Sequence, residues 1–233
     1  MTLKEKIKHR LDDYLEFNSD ELFSNADKVK IFGGAIRDSI SELEIHDVDI
    51  LCGPKSAGII NDVLLQHGYQ HLPSLSSKDL NAVYIGIAII SEPHTYMNNN
   101  NKIVQIIRPR NATNSDIMDN INNLINEVDI SCCGVSYDGI NVIETVEDAV
   151  LHCLQRIYIV RRGKKMSIES RIAQRTWKLQ ERGWHELKSH EHRNVTINDI
   201  LADKDFDSEY IKEHIYKYNW YPIFNELDDE LPF

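Results

Sequence analysis

Residues 29–52 read VKIFGGAIRDSISELEIHDVDILC, and few folds accommodate that order. A short apolar run over 29–32 enters two glycines, residues 35–43 carry apolar side chains at helical spacing, and 48–52 return to an apolar strand. Gly33 and Gly34 let the chain leave a strand and begin a helix where a side chain would obstruct the turn. Asp47 and Asp49 are one residue apart at the entrance to the second strand, so the period of two turns both carboxylates to one face. The segment calls for a mixed α/β fold in which a strand–helix–strand unit sets two acids beside a bare backbone turn.

The flanking sequence extends that unit on both sides. Leu3, Ile7, Leu11, Leu15 and Phe17 recur at near-helical intervals over residues 2–17, which predicts an amphipathic helix. A second helix is predicted over 57–67, with Gly68 as its C-cap. Strands over 83–90 and 103–107 are predicted to form a hairpin, the Asn-rich run 98–102 being a solvated loop. Residues 116–126 predict a helix capped by Ser115, and 128–135 a strand. Tyr137-Asp138-Gly139 predicts a tight turn into a strand over 140–143. Beyond Val146 the pattern turns helical, over 151–158, 168–182 ending at Gly183, and 207–218. The expected architecture is α/β (α+β), a mixed sheet with flanking helices over 1–145, continued by a small helical region with an acidic, aromatic tail over 146–233.

The chain has 233 residues, enough for a catalytic domain of about 150 residues with an appendage. The N-terminus lacks the unbroken apolar stretch of a signal peptide, and no run approaches the roughly 20 apolar residues of a membrane span. The expectation is a cytoplasmic protein without membrane association. Cys52, Cys132, Cys133 and Cys153 form no CxxC pair and are expected to be reduced core thiols rather than disulfides or zinc ligands. A net charge of −11 argues against a polyanionic partner until its distribution is considered. Residues 156–193 hold eleven Lys and Arg against four Asp and Glu, whereas 194–233 hold three Lys against ten Asp and Glu. One basic segment between acidic ones gives a polyanion a place to sit.

Paired carboxylates suit a hard cation such as Mg2+, which takes oxygen ligands, keeps some waters and bridges to phosphates. The glycines offer backbone N–H groups to a triphosphate, and Arg37, one turn into the helix, offers a planar fork of donors. A lone DxD is as commonly a solvated edge pair, and a lone Gly-Gly an ordinary turn. Their succession over residues 33–49 is what points to phosphoryl transfer.

GGAIRDSISELEIHDVDI resembles the signature GGxxRDxxxxxxxxDxD of the tRNA nucleotidyltransferase (CCA-adding enzyme) and bacterial poly(A) polymerase family, within the DNA polymerase beta-like nucleotidyltransferases. The resemblance implies a nucleotidyltransferase-type mixed sheet, two Mg2+ ions held by Asp47 and Asp49, and an NTP (ATP and/or CTP) against Gly33, Gly34 and Arg37. NEVDISCCGVSYDGINVIETVEDAV is similar to the family's later strand, turn and helix, and implies Asp129 as a third catalytic carboxylate near the attacking hydroxyl. The implied reaction moves a nucleoside monophosphate from the NTP to an acceptor hydroxyl, above all an RNA (tRNA) 3' end, releasing pyrophosphate. IESRIAQRTWKLQERGW is loosely similar to the base-selecting helix and implies nucleotide contacts from Arg171 and Arg175, which share a helical face. The chain departs from the family in having Glu42 in place of a glycine, Asn126, Glu127 and Val128 in place of arginines, and Cys133 in place of an asparagine.

Arg161, Arg162, Lys164 and Lys165 form a basic cluster that is either an RNA-backbone contact or a solvated loop. His46 either meets a phosphate or, the preferred reading, packs beside the site. His185, His190 and His192 lack metal-ligand spacing, and the aromatics Tyr216, Tyr218, Trp220, Tyr221 and Phe224 are expected to pack rather than stack on bases. Two other functions fit the same residues: nucleotidyl transfer to a different acceptor, as in toxin-like or protein-modifying enzymes, and a catalytically silent binding relative.

Overall fold

A computed structural model of the chain describes residues 1–24, 26–72, 93–109, 116–162, 164 and 169–187, with only the backbone of 169–171. The expected strand over 83–90, the Ser115 cap, Lys165, the helix over 207–218 and the aromatic tail lie outside the described residues.

Helix α1, Leu3–Leu15, opens with a capping box in which Thr2 and Glu5 satisfy each other's backbone N–H groups. It buries Ile7, Leu11, Tyr14 and Leu15. A short helical turn α2, Glu21–Ser24, leads into strand β1, Val29–Phe32, whose four residues are all buried. Helix α3, Gly34–Ile40, and strand β2, Asp47–Cys52, complete the unit expected from the glycines and the DxD. Helix α4, Pro54–Gln66, starts three residues before the apolar pattern suggested, because proline suits the first turn of a helix. Strands β3, Gln70–Leu72, β4, His94–Met97, and β5, Ile103–Ile107, follow, then helix α5, Ile117–Asn126. The hairpin expected between 83–90 and 103–107 lies partly outside the described residues; among the described residues β5 pairs antiparallel with β4.

The expected strand over 128–135 is a correction. Ile130 makes a single bridge to Val160, Ser131–Cys133 form a 3-10 turn, and strand β6 is confined to Val135–Tyr137. Gly134 explains the break, since a Cβ there would lie 2.2 Å from Val146 Cγ2. The turn to strand β7, Val142–Glu144, spans four residues rather than two. Asp138 closes it by accepting from the N–H groups of Ile140 (2.9 Å) and Asn141 (2.6 Å).

Seven strands make one mixed sheet, in the order β3-β4-β5-β2-β1-β6-β7. β1 and β2 are central and antiparallel, with Phe32 opposite Asp49, while β2 runs parallel to β5. Val48 and Ile50 are fully buried on one face, and Asp47 and Asp49 alternate with them on the other. Past residue 145 come helix α6, Ala149–Gln155, and a parallel two-strand pair of β8, Ile157–Tyr158, with β9, His185–Glu186, around helix α7, Glu169–Glu181. Expected helix 151–158 therefore ends at Gln155. Leu154, Tyr158, Leu179 and Trp184 belong to the same core as the sheet. Among the described residues no helix is long and apolar enough to cross a membrane. The four cysteines are free, with Cys52, Cys132 and Cys153 buried.

The loop from α3 to β2 is pinned from both ends of the chain. Tyr14 donates to the carbonyl of His46 (2.6 Å) and accepts from the N–H of Ile103 (2.9 Å). Arg10 donates to the carbonyl of Leu43, and Arg156 to that of Ser41 (3.1 Å). Glu42 adopts a left-handed backbone, φ 59°, where glycine is the unstrained residue. Its carboxylate instead pairs at 2.7 Å with the buried ammonium of Lys6, which also donates to the Ile40 carbonyl (2.9 Å). Glu42→Ala loses the pair and keeps the strained backbone, so it is expected to destabilise the protein, whereas Glu42→Gly relieves the strain. Urea denaturation should rank the glycine variant above the alanine variant by about 1 kcal/mol. Equal stabilities would show that the backbone carries no strain there.

Candidate active site

β1 delivers the chain into Gly33, whose φ of 70° and ψ of −128° lie in a region closed to residues with a Cβ. The Gly33 N–H donates to the Val135 carbonyl at 3.2 Å. That N–H is therefore committed to the sheet. A Cβ on Gly34 would stand 3.9 Å from Asp47 Oδ1 and 3.7 Å from an Arg37 terminal nitrogen. Bare backbone, a carboxylate and a guanidinium thus converge on one spot, as the sequence pattern anticipated.

The two β2 carboxylates are held at an electrostatic cost. Burial, together with Asp38, raises the pKa of Asp47, opposed by Arg37, His46 and Lys178. Burial, then Asp47 itself, pushes Asp49 well above the usual carboxylate range, opposed by Arg175. Asp49 Oδ1 is shut off from solvent with no hydrogen-bond partner. An orphaned, mutually repelling carboxylate pair fits a hard divalent cation. The residues that fit such an ion are Asp47 and Asp49; among the described residues no group of three His, Cys, Asp or Glu is arranged to hold a metal ion.

Asp129 is fully buried, next to the bridge that joins Ile130 to Val160. Its Oδ1 accepts from Arg175, and its Oδ2 has no partner. Arg175 thereby lies between Asp129 and Asp49. The side chain of Arg171 lies outside the described residues. Sequence reasoning missed the rest of this face. Lys178 is near enough to Asp47 to draw its pKa down, and Arg182 donates to Asp38 Oδ2 at 2.9 Å and to the Glu44 carbonyl at 2.7 Å. The spacing 175, 178, 182 is that of one helical face, which is the signal that would have found them.

Arg37 donates to both oxygens of Asp38, through Nε at 2.7 Å and a terminal nitrogen at 2.9 Å. Its other terminal nitrogen lies 3.6 Å from Cys133 Sγ, and its guanidinium carbon is 5.6 Å from the centre of the Trp184 ring. Three of its five N–H groups are used in these hydrogen bonds, leaving two for a ligand. A hydrogen bond with Cys132 brings the Cys133 thiol down to about 6 against its burial, and Arg37 and Arg175 reinforce the shift. Lys178, Arg182 and Trp184 are the site residues the sequence did not single out, while Asp38 is the aspartate of the quoted motif and Cys133 one of its departures.

The expected RNA-contact cluster is divided. The Arg161 guanidinium donates to the carbonyls of Asn126 (2.9 Å) and Val128 (3.0 Å) and to Asn126 Oδ1 (3.2 Å), bracing the segment that leads to Asp129. Arg162 is exposed and Lys164 half-buried. His46 is exposed rather than packed, and its ring lies on the side of Asp47.

No family model matches the sequence, and no curated protein does. Solved structures do match. A CCA-adding enzyme in complex with ATP aligns with 93% of this chain and 50% of its own at a TM-score of 0.56 and 11% identity. The Thermotoga maritima CCA-adding enzyme complexed with tRNA aligns with 93% and 46% at 0.54 and 9%. A CCA-adding enzyme with CTP aligns with 94% and 55% at 0.54 and 10%. The chain has the nucleotidyltransferase fold of these enzymes and spans about half their length.

The raised pKa of Asp49 fixes a sign. A carboxyl that holds its proton more tightly when folded contributes stability below its unfolded pKa, and that contribution is lost as pH rises through the folded value. Asp49→Asn should therefore melt higher than the parent at neutral pH, by roughly 2–4 °C if the gain is about 1 kcal/mol, and the two should converge below pH 4. A lower melting temperature for the variant at neutral pH would show that Asp49 is not electrostatically strained.

Proposed function

We propose that the chain is a Mg2+-dependent nucleotidyltransferase that moves a nucleoside monophosphate from an NTP, ATP and/or CTP, to the 3' hydroxyl of an RNA, with tRNA the favoured acceptor. The observation that carries the reading is the convergence of Gly34, Arg37 and Asp47 on one point, with Asp49 on the same strand face as Asp47, in the fold of the CCA-adding enzymes. The two carboxylates would hold the ions. When bound, the ions neutralise charge on the triphosphate and lower the pKa of the attacking hydroxyl.

The chain's own groups bind and orient. Gly34 lets the triphosphate approach backbone and carboxylates together, and the two N–H groups left on Arg37 meet its oxygens. The acceptor oxygen forms a bond to the α-phosphorus as the bond from that phosphorus to the bridging oxygen breaks, and pyrophosphate leaves with the electron pair. Asp129, the acid expected near the attacking hydroxyl, would take up its proton on Oδ2 once the acceptor reaches that buried atom. Arg175, on the other oxygen of Asp129, holds that carboxylate in place. Exposed Arg162, with Lys164 beside it, is the RNA-backbone contact that remains after Arg161 is assigned to bracing.

Incubation of the protein with Mg2+, each labelled NTP and tRNA lacking its 3' end should label the RNA. Asp47→Ala and Asp49→Ala should each lower the rate by about a thousandfold, the scale of the several kcal/mol that a bound cation supplies. Label in a protein fraction instead would transfer the activity to a protein acceptor. No label in any fraction would overturn the reading and leave a silent relative of the fold.

A further inference from the structure

The residues just past α7 hold the arginine that the proposed reaction uses. Arg182 spans two targets, Asp38 Oδ2 at 2.9 Å and the Glu44 carbonyl at 2.7 Å. Asp38 is almost fully buried and spends its carboxylate on two guanidiniums, those of Arg37 and Arg182. With Arg37 alone, an adjacent residue in the same helix, the carboxylate and the guanidinium could swing together. A second fork arriving from outside α3 fixes Oδ2 and so fixes both. The same turn delivers the Trp184 ring against Arg37, because Gly183 takes a φ of 78° and the Trp184 N–H donates back to the Leu179 carbonyl at 3.0 Å. Two contacts two residues apart thus act on one guanidinium.

We propose that Arg182 is a positioning residue for Arg37, acting through Asp38, so that the turn after α7 sets the aim of the triphosphate-binding fork. The proposal rests on the reading that Arg37 meets the triphosphate. Arg182 itself touches no reacting atom. Removing it leaves Asp38 with a single partner and lets the Arg37 fork turn away from Gly34, which weakens NTP binding more than turnover.

The test uses the full chain and two readouts. In equilibrium binding of ATP and CTP with Mg2+, Arg182→Ala should weaken affinity roughly tenfold, a misplacement effect, with Arg182→Lys intermediate because one ammonium cannot copy a bridging fork. In an Arg37→Ala background, Arg182→Ala should add little, because its effect passes through Arg37. Full additivity, or unchanged affinity in Arg182→Ala, would overturn the proposal. The second readout does not involve nucleotide: the pH midpoint of Cys133 alkylation by iodoacetamide, with Cys133→Ser as the blank. Arg37 helps keep that thiol ionised, so the midpoint should rise in Arg37→Ala and in Arg182→Ala. If the parent binds no NTP, the functional reading fails and the alkylation midpoint decides alone: a rise in Arg182→Ala supports the positioning role, and no change removes it. If Arg182→Ala does not fold, the same comparisons are made with Arg182→Lys, and parental values in both readouts overturn the proposal.

Discussion

Two carboxylates on the same face of a central strand repel each other, and burying them raises the cost of keeping both ionised. β2 cannot relieve this by turning, because its register between β1 and β5 fixes Val48 and Ile50 in the core. The charges that oppose the repulsion therefore come from elsewhere. Arg37 comes from α3, while Arg175 and Lys178 come from α7, more than a hundred residues away in sequence. The placement of α7 against the sheet is in this sense a consequence of the acidic pair as much as of Leu179 and Trp184 in the core. What opposes the repulsion is incomplete, which is why Asp49 retains an orphaned oxygen and why a cation fits there.

This division of charge changes the meaning of the basic segment. Counting Lys and Arg over 156–193 correctly locates a positive region in an acidic chain. The count cannot say what the charges face. Arg161 is spent on two backbone carbonyls, Arg175 on Asp129 and Arg182 on Asp38, so three of the eleven basic side chains face inward rather than toward a polyanion. Only partner identity separates the two uses, and that is set by tertiary contacts at long sequence separation.

The β1–α3–β2 unit was legible because every local cue agreed: an apolar run, two glycines, helical spacing and alternation around the DxD. The segment 128–135 was not, because an unbroken apolar run carries no mark of the turn that Gly134 must make beneath Val146. The two-residue pairing of β8 with β9 depends on chain ends brought together by α7 and has no local periodicity. Glu42 is a more informative case. Its sequence position, where the resembled family has glycine, marked a departure, yet the structure keeps the left-handed backbone and adds a buried ion pair to Lys6. A backbone position that glycine meets without strain is here met by a side chain that gains an ion pair with buried Lys6.

The position of Asp47 follows from the same logic at larger scale. The loop that carries it is held by Lys6, Arg10 and Tyr14 of α1, by Arg156 after α6, and by Arg182 after α7. None of these holds is local, and most end on backbone carbonyls, which tolerate sequence change in the loop itself. The carbonyls fix where the chain runs, while Ile45 is buried and His46 acts on Asp47 by its charge. Among the described residues, the loop that leads into the acidic pair is thus placed from α1, from the residue after α6 and from the turn after α7.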